Sequence, residues 1–183
     1  MKSTLMIHEF KEDYLDLPLE QYVLTFDDGL YSQFLYLEEL IKLNTELIFS
    51  IPTGLIQEES LDQDPNFISC VDALRRARTK DFSNYMKWSQ VQKIFNSKNC
   101  IISAHSHSHI DLRTIEGLYN KIEHINTDTI WMLTRFKWYL NYVPNIFCFP
   151  FNYDYSFYMN ILKGNFGFTK FLGNDRIPIE SLL

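Results

Sequence analysis

No stretch of this 183-residue sequence is apolar for long enough to span a bilayer. Its opening residues, Met1-Lys2-Ser3-Thr4-Leu5-Met6-Ile7-His8-Glu9, also lack a hydrophobic segment of signal-peptide length. Together these absences predict a cytoplasmic protein with no membrane span. Positive charge is short as well: 17 Lys and Arg against 23 Asp and Glu leave a net charge of -6. That balance argues against nucleic acid or an anionic lipid surface as a partner. The three cysteines, Cys70, Cys100 and Cys148, are odd in number and scattered, so no disulfide framework is expected. Cys100 and Cys148 lie in apolar runs and read as small core residues. Repeats, low-complexity tracts and linkers are absent too, which leaves one domain over residues 1–183.

Aromatic residues are plentiful. Fifteen Phe and eleven Tyr exclude disorder and supply a core that needs no staple at this length. Short apolar runs predict strands over 4–7, 22–26, 46–51, 100–104, 145–149 and 166–171. Helical spacing predicts helices over 30–43, 67–80, 88–96, 114–142 and 156–163. In the second of these, Val71, Leu74 and Ala77 or Arg78 are expected along one face; in the fourth, Leu118, Ile122, Ile125, Thr129, Met132 and Phe136 are expected to face inward. Residues 57–66 carry four acids and no periodicity and read as an exposed loop, and residues 9–20 as a polar, acidic one. Strands alternating with helices imply an α/β protein with a parallel sheet.

Unusual residues collect where three of these strands end. Asp27-Asp28-Gly29 follows the second, with Gly29 permitting a tight turn. Adjacent carboxylates there either cap the following helix or meet a cation that offsets their repulsion. The run His105-Ser106-His107-Ser108-His109 follows the fourth strand. His105 and His109, four apart, share a face if the segment turns helically, while His107 points elsewhere. Two imidazoles and a carboxylate form a metal-ligand set with open positions; without a metal the run is a polar loop. Pro150-Phe151-Asn152 follows the fifth strand.

These residues resemble the NodB-like polysaccharide deacetylases of carbohydrate esterase family 4. Thr25-Phe26-Asp27-Asp28-Gly29 matches their first motif in every residue. The stretch from Ser103 to Leu112 is similar to the second. Phe147-Cys148-Phe149-Pro150-Phe151-Asn152 is similar to the third in its Phe-Ala-Tyr-Pro-Tyr-Gly form. The resemblance runs in order from Tyr22 to Phe171 and includes Trp88 with its amphipathic helix. It implies a distorted, shortened (β/α) barrel of the NodB-homology type. It further implies that Asp28, His105 and His109 hold one divalent metal, usually zinc, and that Asp27 is the general base toward water. The backbone N–H of Phe151, between Pro150 and Asn152, would help hold the oxyanion.

The sequence departs from the family at three places. The Arg that opens the third motif is Cys148 here, and its closing Gly is Asn152, which tolerates a left-handed backbone. The late Asp-Trp and Leu-x-His motifs are missing, with no His after His124. A substitute acid is at hand: Leu5-Met6-Ile7-His8-Glu9 looks like the N-terminal strand of the circularly shifted branch, whose acid histidine comes first. His8 would then protonate the leaving amine, and His124 would be an ordinary surface or core residue. The implied activity is metal-dependent removal of N-acetyl groups from a sugar or glycan intermediate, with surface-polysaccharide biosynthesis as its setting. Two other readings stay open: a non-catalytic carbohydrate- or partner-binding relative, and a hydrolase of another small amide.

Overall fold

The computed structural model describes residues 2–59 and 62–183. Seven short strands among them form one sheet: β1 (Thr4–Ile7), β2 (Val23–Phe26), β3 (Leu47–Ile51), β4 (Cys100–Ala104), β5 (Ile146–Cys148), β6 (Lys170–Leu172) and β7 (Ile177–Pro178). Their spatial order is β6-β5-β4-β3-β2-β1-β7, and every pairing is parallel. β6 and β7 are free edges, so the sheet curls into a half-barrel. The expected shortened (β/α) barrel is therefore the observed architecture.

Parallel sheets covered by crossovers have apolar strands, and all five residues of β3 are buried. The covering helices are α1 (Tyr31–Leu35), α2 (Leu37–Leu40), α3 (Cys70–Ala77), α4 (Trp88–Phe95), α5 (Leu118–Leu140) and α6 (Ser156–Phe166). Phe26 and Phe49 stack at 4.6 Å in the main core. Met132 and Phe136 of α5 and Val91 and Ile94 of α4 close over that core. A smaller cluster of Leu30, Leu55, Ala73, Ala77 and Tyr85 seats α3.

Several sequence expectations need correction. The helix over 30–43 breaks at Tyr36 (φ -103°, ψ 15°) into α1 and α2. The helix over 67–80 shrinks to α3, whose first turn is capped by the Ser69 hydroxyl accepting from the Asp72 N–H at 3.2 Å. Its inward face is Ala73 and Ala77, and Val71 is 64% exposed. In α5 the expected inward face is seen from Ile125 to Phe136, but Leu118 is exposed. Residues 9–20 are not simply polar: two 3₁₀ turns there bury Tyr14 and Leu19, and Phe10 is buried beside them.

The 57–66 stretch, of which Ser60 and Leu61 lie outside the described residues, is tethered rather than loose. Gln57 is buried, Glu58 accepts from Arg135 and Tyr139, and Glu59 accepts from Ser89. The last predicted strand moves: Phe166 ends α6, and pairing begins at Lys170. β7 has no counterpart among the predicted elements.

Candidate metal centre

Parallel pairing lays the C-terminal strand ends along one edge. The register Ile7↔Phe26 sets His8 beside Asp27, whose N–H donates to the Ile7 carbonyl at 2.8 Å. Ile51↔Ala104 places His105 two strands away, and Ala104↔Phe147 brings in the end of β5. After β2 the chain doubles back through two consecutive left-handed residues, Asp28 (φ 72°) and Gly29 (φ 65°). The left-handed backbone at Gly29 favours glycine, and a Cβ there would also press on Ile56 Cδ1 at 2.9 Å and Pro52 Cδ at 3.3 Å. The Gln33 amide, buried in α1, donates to the carbonyls of both His8 and Asp27 and ties the two strand ends together.

Asp28, His105 and His109 converge. Asp28 Oδ1 is 3.1 Å from His105 Nε2 and 3.0 Å from His109 Nε2, and the two ring nitrogens are 3.1 Å apart. Ligands about 2.0–2.1 Å from a tetrahedral ion are separated by about 3.3 Å, so the triangle suits one ion of zinc's size. His105 Nδ1 lies 2.9 Å from the Cys148 carbonyl, which can only accept. Nδ1 therefore carries a proton, and Nε2 faces the centre of the triangle. Burial acts to lower the His105 imidazole, but Cys148 and Asp28 beside it hold it well above its ordinary value, so an ion taken up there would displace the Nε2 proton. Burial acts to raise the Asp28 carboxyl, but the His109 and His105 imidazoles hold it well below the usual carboxylate range. Asp27, His105 and Cys148 make a second converging set. There Asp27 is already taken up by an arginine.

That arginine is Arg176, which the sequence reading passed over. It precedes β7, and its side chain is 1% exposed. Its fork grips Asp27, with one terminal nitrogen 2.9 Å from Oδ1 and the other 2.8 Å from Oδ2. Nε donates to the Gly173 carbonyl at 3.1 Å. The remaining terminal hydrogens go to Thr25 Oγ1 at 3.0 Å and Asn152 Oδ1 at 2.6 Å. Four guanidinium N–H groups are thereby hydrogen-bonded, and the ion pair to Asp27 Oδ2 completes the surroundings. Burial acts to raise the Asp27 carboxyl; Arg176, with His105 and His8 nearby, brings it below the ordinary value. Arg176 thus reaches Asp27 from beside β7, at the other end of the sheet from Cys148.

His8, Asp27, Asp28, His105, His109, Phe151 and Asn152 line a single cavity of about 130 Å³, which Val71 and Leu74 of α3 roof from one side. Pro150, which precedes Phe151, is buried. Phe151 and Asn152 both have φ 57°, a conformation uncommon for residues other than glycine. His107 points away, as expected, with Nδ1 2.9 Å from Thr53 Oγ1. His124 lies outside this cavity. A larger hollow of about 500 Å³ opens among Lys2, Val23, Thr45 and Cys100, at the opposite strand ends and away from these residues.

No family model matches the chain, and no curated protein matches it in sequence. Solved structures do match. IcaB from Ammonifex degensii superposes with a TM-score of 0.65 at 16% identity, over 96% of this chain and 90% of its own. The BpsB deacetylase domain from Bordetella bronchiseptica gives 0.67 at 11%, over 97% and 94%. The Streptococcus pyogenes deacetylase PplD, solved with acetate, gives 0.64 at 13%, over 97% and 91%. The chain has the fold of the NodB-like polysaccharide deacetylases.

Proposed function

We propose that the protein is a metal-dependent hydrolase that removes an N-acetyl group from a sugar in a glycan or glycan intermediate. The observation that carries this reading is one cavity in which a carboxylate–bis-imidazole triangle faces a second carboxylate kept ionised by a buried arginine. Asp28, His105 and His109 would hold the ion, which supplies Lewis acidity toward water and the amide carbonyl when bound.

The remaining roles belong to side chains and backbone. Asp27 takes the proton of the attacking water on a carboxylate oxygen. Arg176 fixes the plane of that carboxylate and keeps it charged. The Phe151 N–H, set by the left-handed turn over Phe151-Asn152, faces the oxygen that gains charge. His8 hands a proton to the departing amine nitrogen. The small cavity suits an acetamido group. Leu74 and His109 also border a groove of about 440 Å³ with Leu55, Ala77 and Phe82, which gives the rest of the sugar a place to lie.

The purified protein is expected to release acetate from N-acetylglucosamine oligomers, to lose that activity on dialysis against a chelator, and to regain it with zinc. Absence of acetate release across a panel of N-acetyl sugars by the zinc-loaded protein would refute this substrate class. His8→Gln is expected to lower kcat by about 10²–10⁴-fold with zinc content unchanged. A wild-type kcat in that variant would remove His8 from the role of acid.

A further inference from the structure

Beyond the ligands themselves, the geometry points to Asp128 of α5 as the residue that positions the metal-binding loop. This rests on the metal centre proposed above. His105 and His109 reach one point only because the three residues between them fold into a tight, irregular turn. Ser106 (φ 62°) and His109 (φ 48°) are both left-handed without being glycine. Such conformations persist where the surroundings over-determine them, and they cluster at functional sites.

The backbone N–H groups of Thr53 and Gly54 hold the carbonyls of Ser106 and His107 at 3.2 and 2.9 Å, and two side chains hold the loop's own N–H groups. The Ser106 hydroxyl accepts from the His109 N–H at 2.9 Å, within the loop itself. The second comes from outside. The Asp128 carboxylate accepts the His107 N–H at 2.7 Å, the Ser108 N–H at 2.8 Å and the Ser108 hydroxyl at 2.5 Å.

Asp128 is 6% exposed and stands on the face of α5 that also carries Ile125, Thr129 and Met132, where an apolar residue would be the ordinary choice. Its nearest cation candidate, His124 Nε2, is 3.9 Å away at the rim. Three short donors from the loop thus satisfy a carboxylate that is otherwise buried. The helix behind it is rigid, since Met132 and Phe136 lie one and two turns further along in the main core. An amide could not replace the carboxylate: its NH₂ would face one of the loop donors and leave it unpaired.

Zinc titration of the apo protein against a chromophoric chelator tests this, with circular dichroism reporting the fold. Folded Asp128→Asn is expected to bind zinc about 10- to 100-fold more weakly than wild type, the range seen when groups behind metal ligands are removed. Ser108→Ala, which deletes only the hydroxyl donor, is expected to weaken zinc by roughly fivefold. A purely structural role would lower the melting temperature and leave the zinc affinity of the folded protein unchanged; that result overturns the proposal. If Asp128→Asn does not fold, Ser108→Ala decides in the same way. Failure of the wild-type protein to bind zinc refutes the metal centre itself, and the role of Asp128 falls with it.

Discussion

Asp27→Asn is expected to lose acetate release by about 10²–10⁴-fold while still binding one zinc ion. The two neighbouring aspartates are separated by what surrounds them. Asp28 closes the triangle with the two imidazoles, at 3.0 and 3.1 Å. Asp27 is turned to Arg176 and takes no part in that triangle. An asparagine has nearly the same shape but cannot accept a proton at neutral pH. Its NH₂ would also oppose one guanidinium donor, so a modest drop in melting temperature should accompany the catalytic loss. Asp28→Asn should show the reverse order of effects, with zinc lost first and activity following. Enzymatic acetate determination and metal analysis on the same preparations distinguish the two variants. An Asp27→Asn protein that retained full activity would end the assignment of Asp27 as base.

The parts of this site that could be read from sequence are those made of consecutive residues. Asp27-Asp28-Gly29 announces a turn because glycine and paired acids are local signals, and the strand before it shows as an apolar run. His105 and His109 are visible for the same reason. Residues whose meaning is a distant contact carry no such signal. Arg176 meets Asp27 across 149 positions, and the strand beside it is two residues long, too short for any period to show. Asp128 reads as one polar residue in an amphipathic helix until the loop 20 residues earlier is folded against it. Gln33 likewise gains its role only when the ends of β1 and β2 come together. The acids of 57–66 misled in the other direction. Their composition matches a solvated loop, but Glu58, Glu59 and Asp64 are used as acceptors for side chains and backbone of neighbouring elements.

Arg176→Met should be the most destabilising single change at the site, costing about 3–5 kcal/mol at neutral pH. The side chains of Asp27 and Arg176 are 2% and 1% exposed, so removing the guanidinium strands a carboxylate without water or a counter-ion. The pH dependence identifies the cause. In the wild-type protein the folded Asp27 carboxyl is held below its ordinary value. It therefore stabilises the fold above the unfolded carboxylate pKa, and that stabilisation disappears as pH falls through the folded one. In Arg176→Met burial prevails and the carboxyl moves up, so the folded variant favours the protonated form. The deficit should be largest near neutrality and shrink as the solution is acidified. Urea unfolding of both proteins at about pH 7 and about pH 5 measures this. A deficit of equal size at both values would mean that lost packing, not a stranded charge, is responsible. Adding Asp27→Asn to Arg176→Met should recover part of the stability, because the double variant buries no unpaired charge. It should recover none of the activity, since the carboxylate that Arg176 exists to hold would be gone.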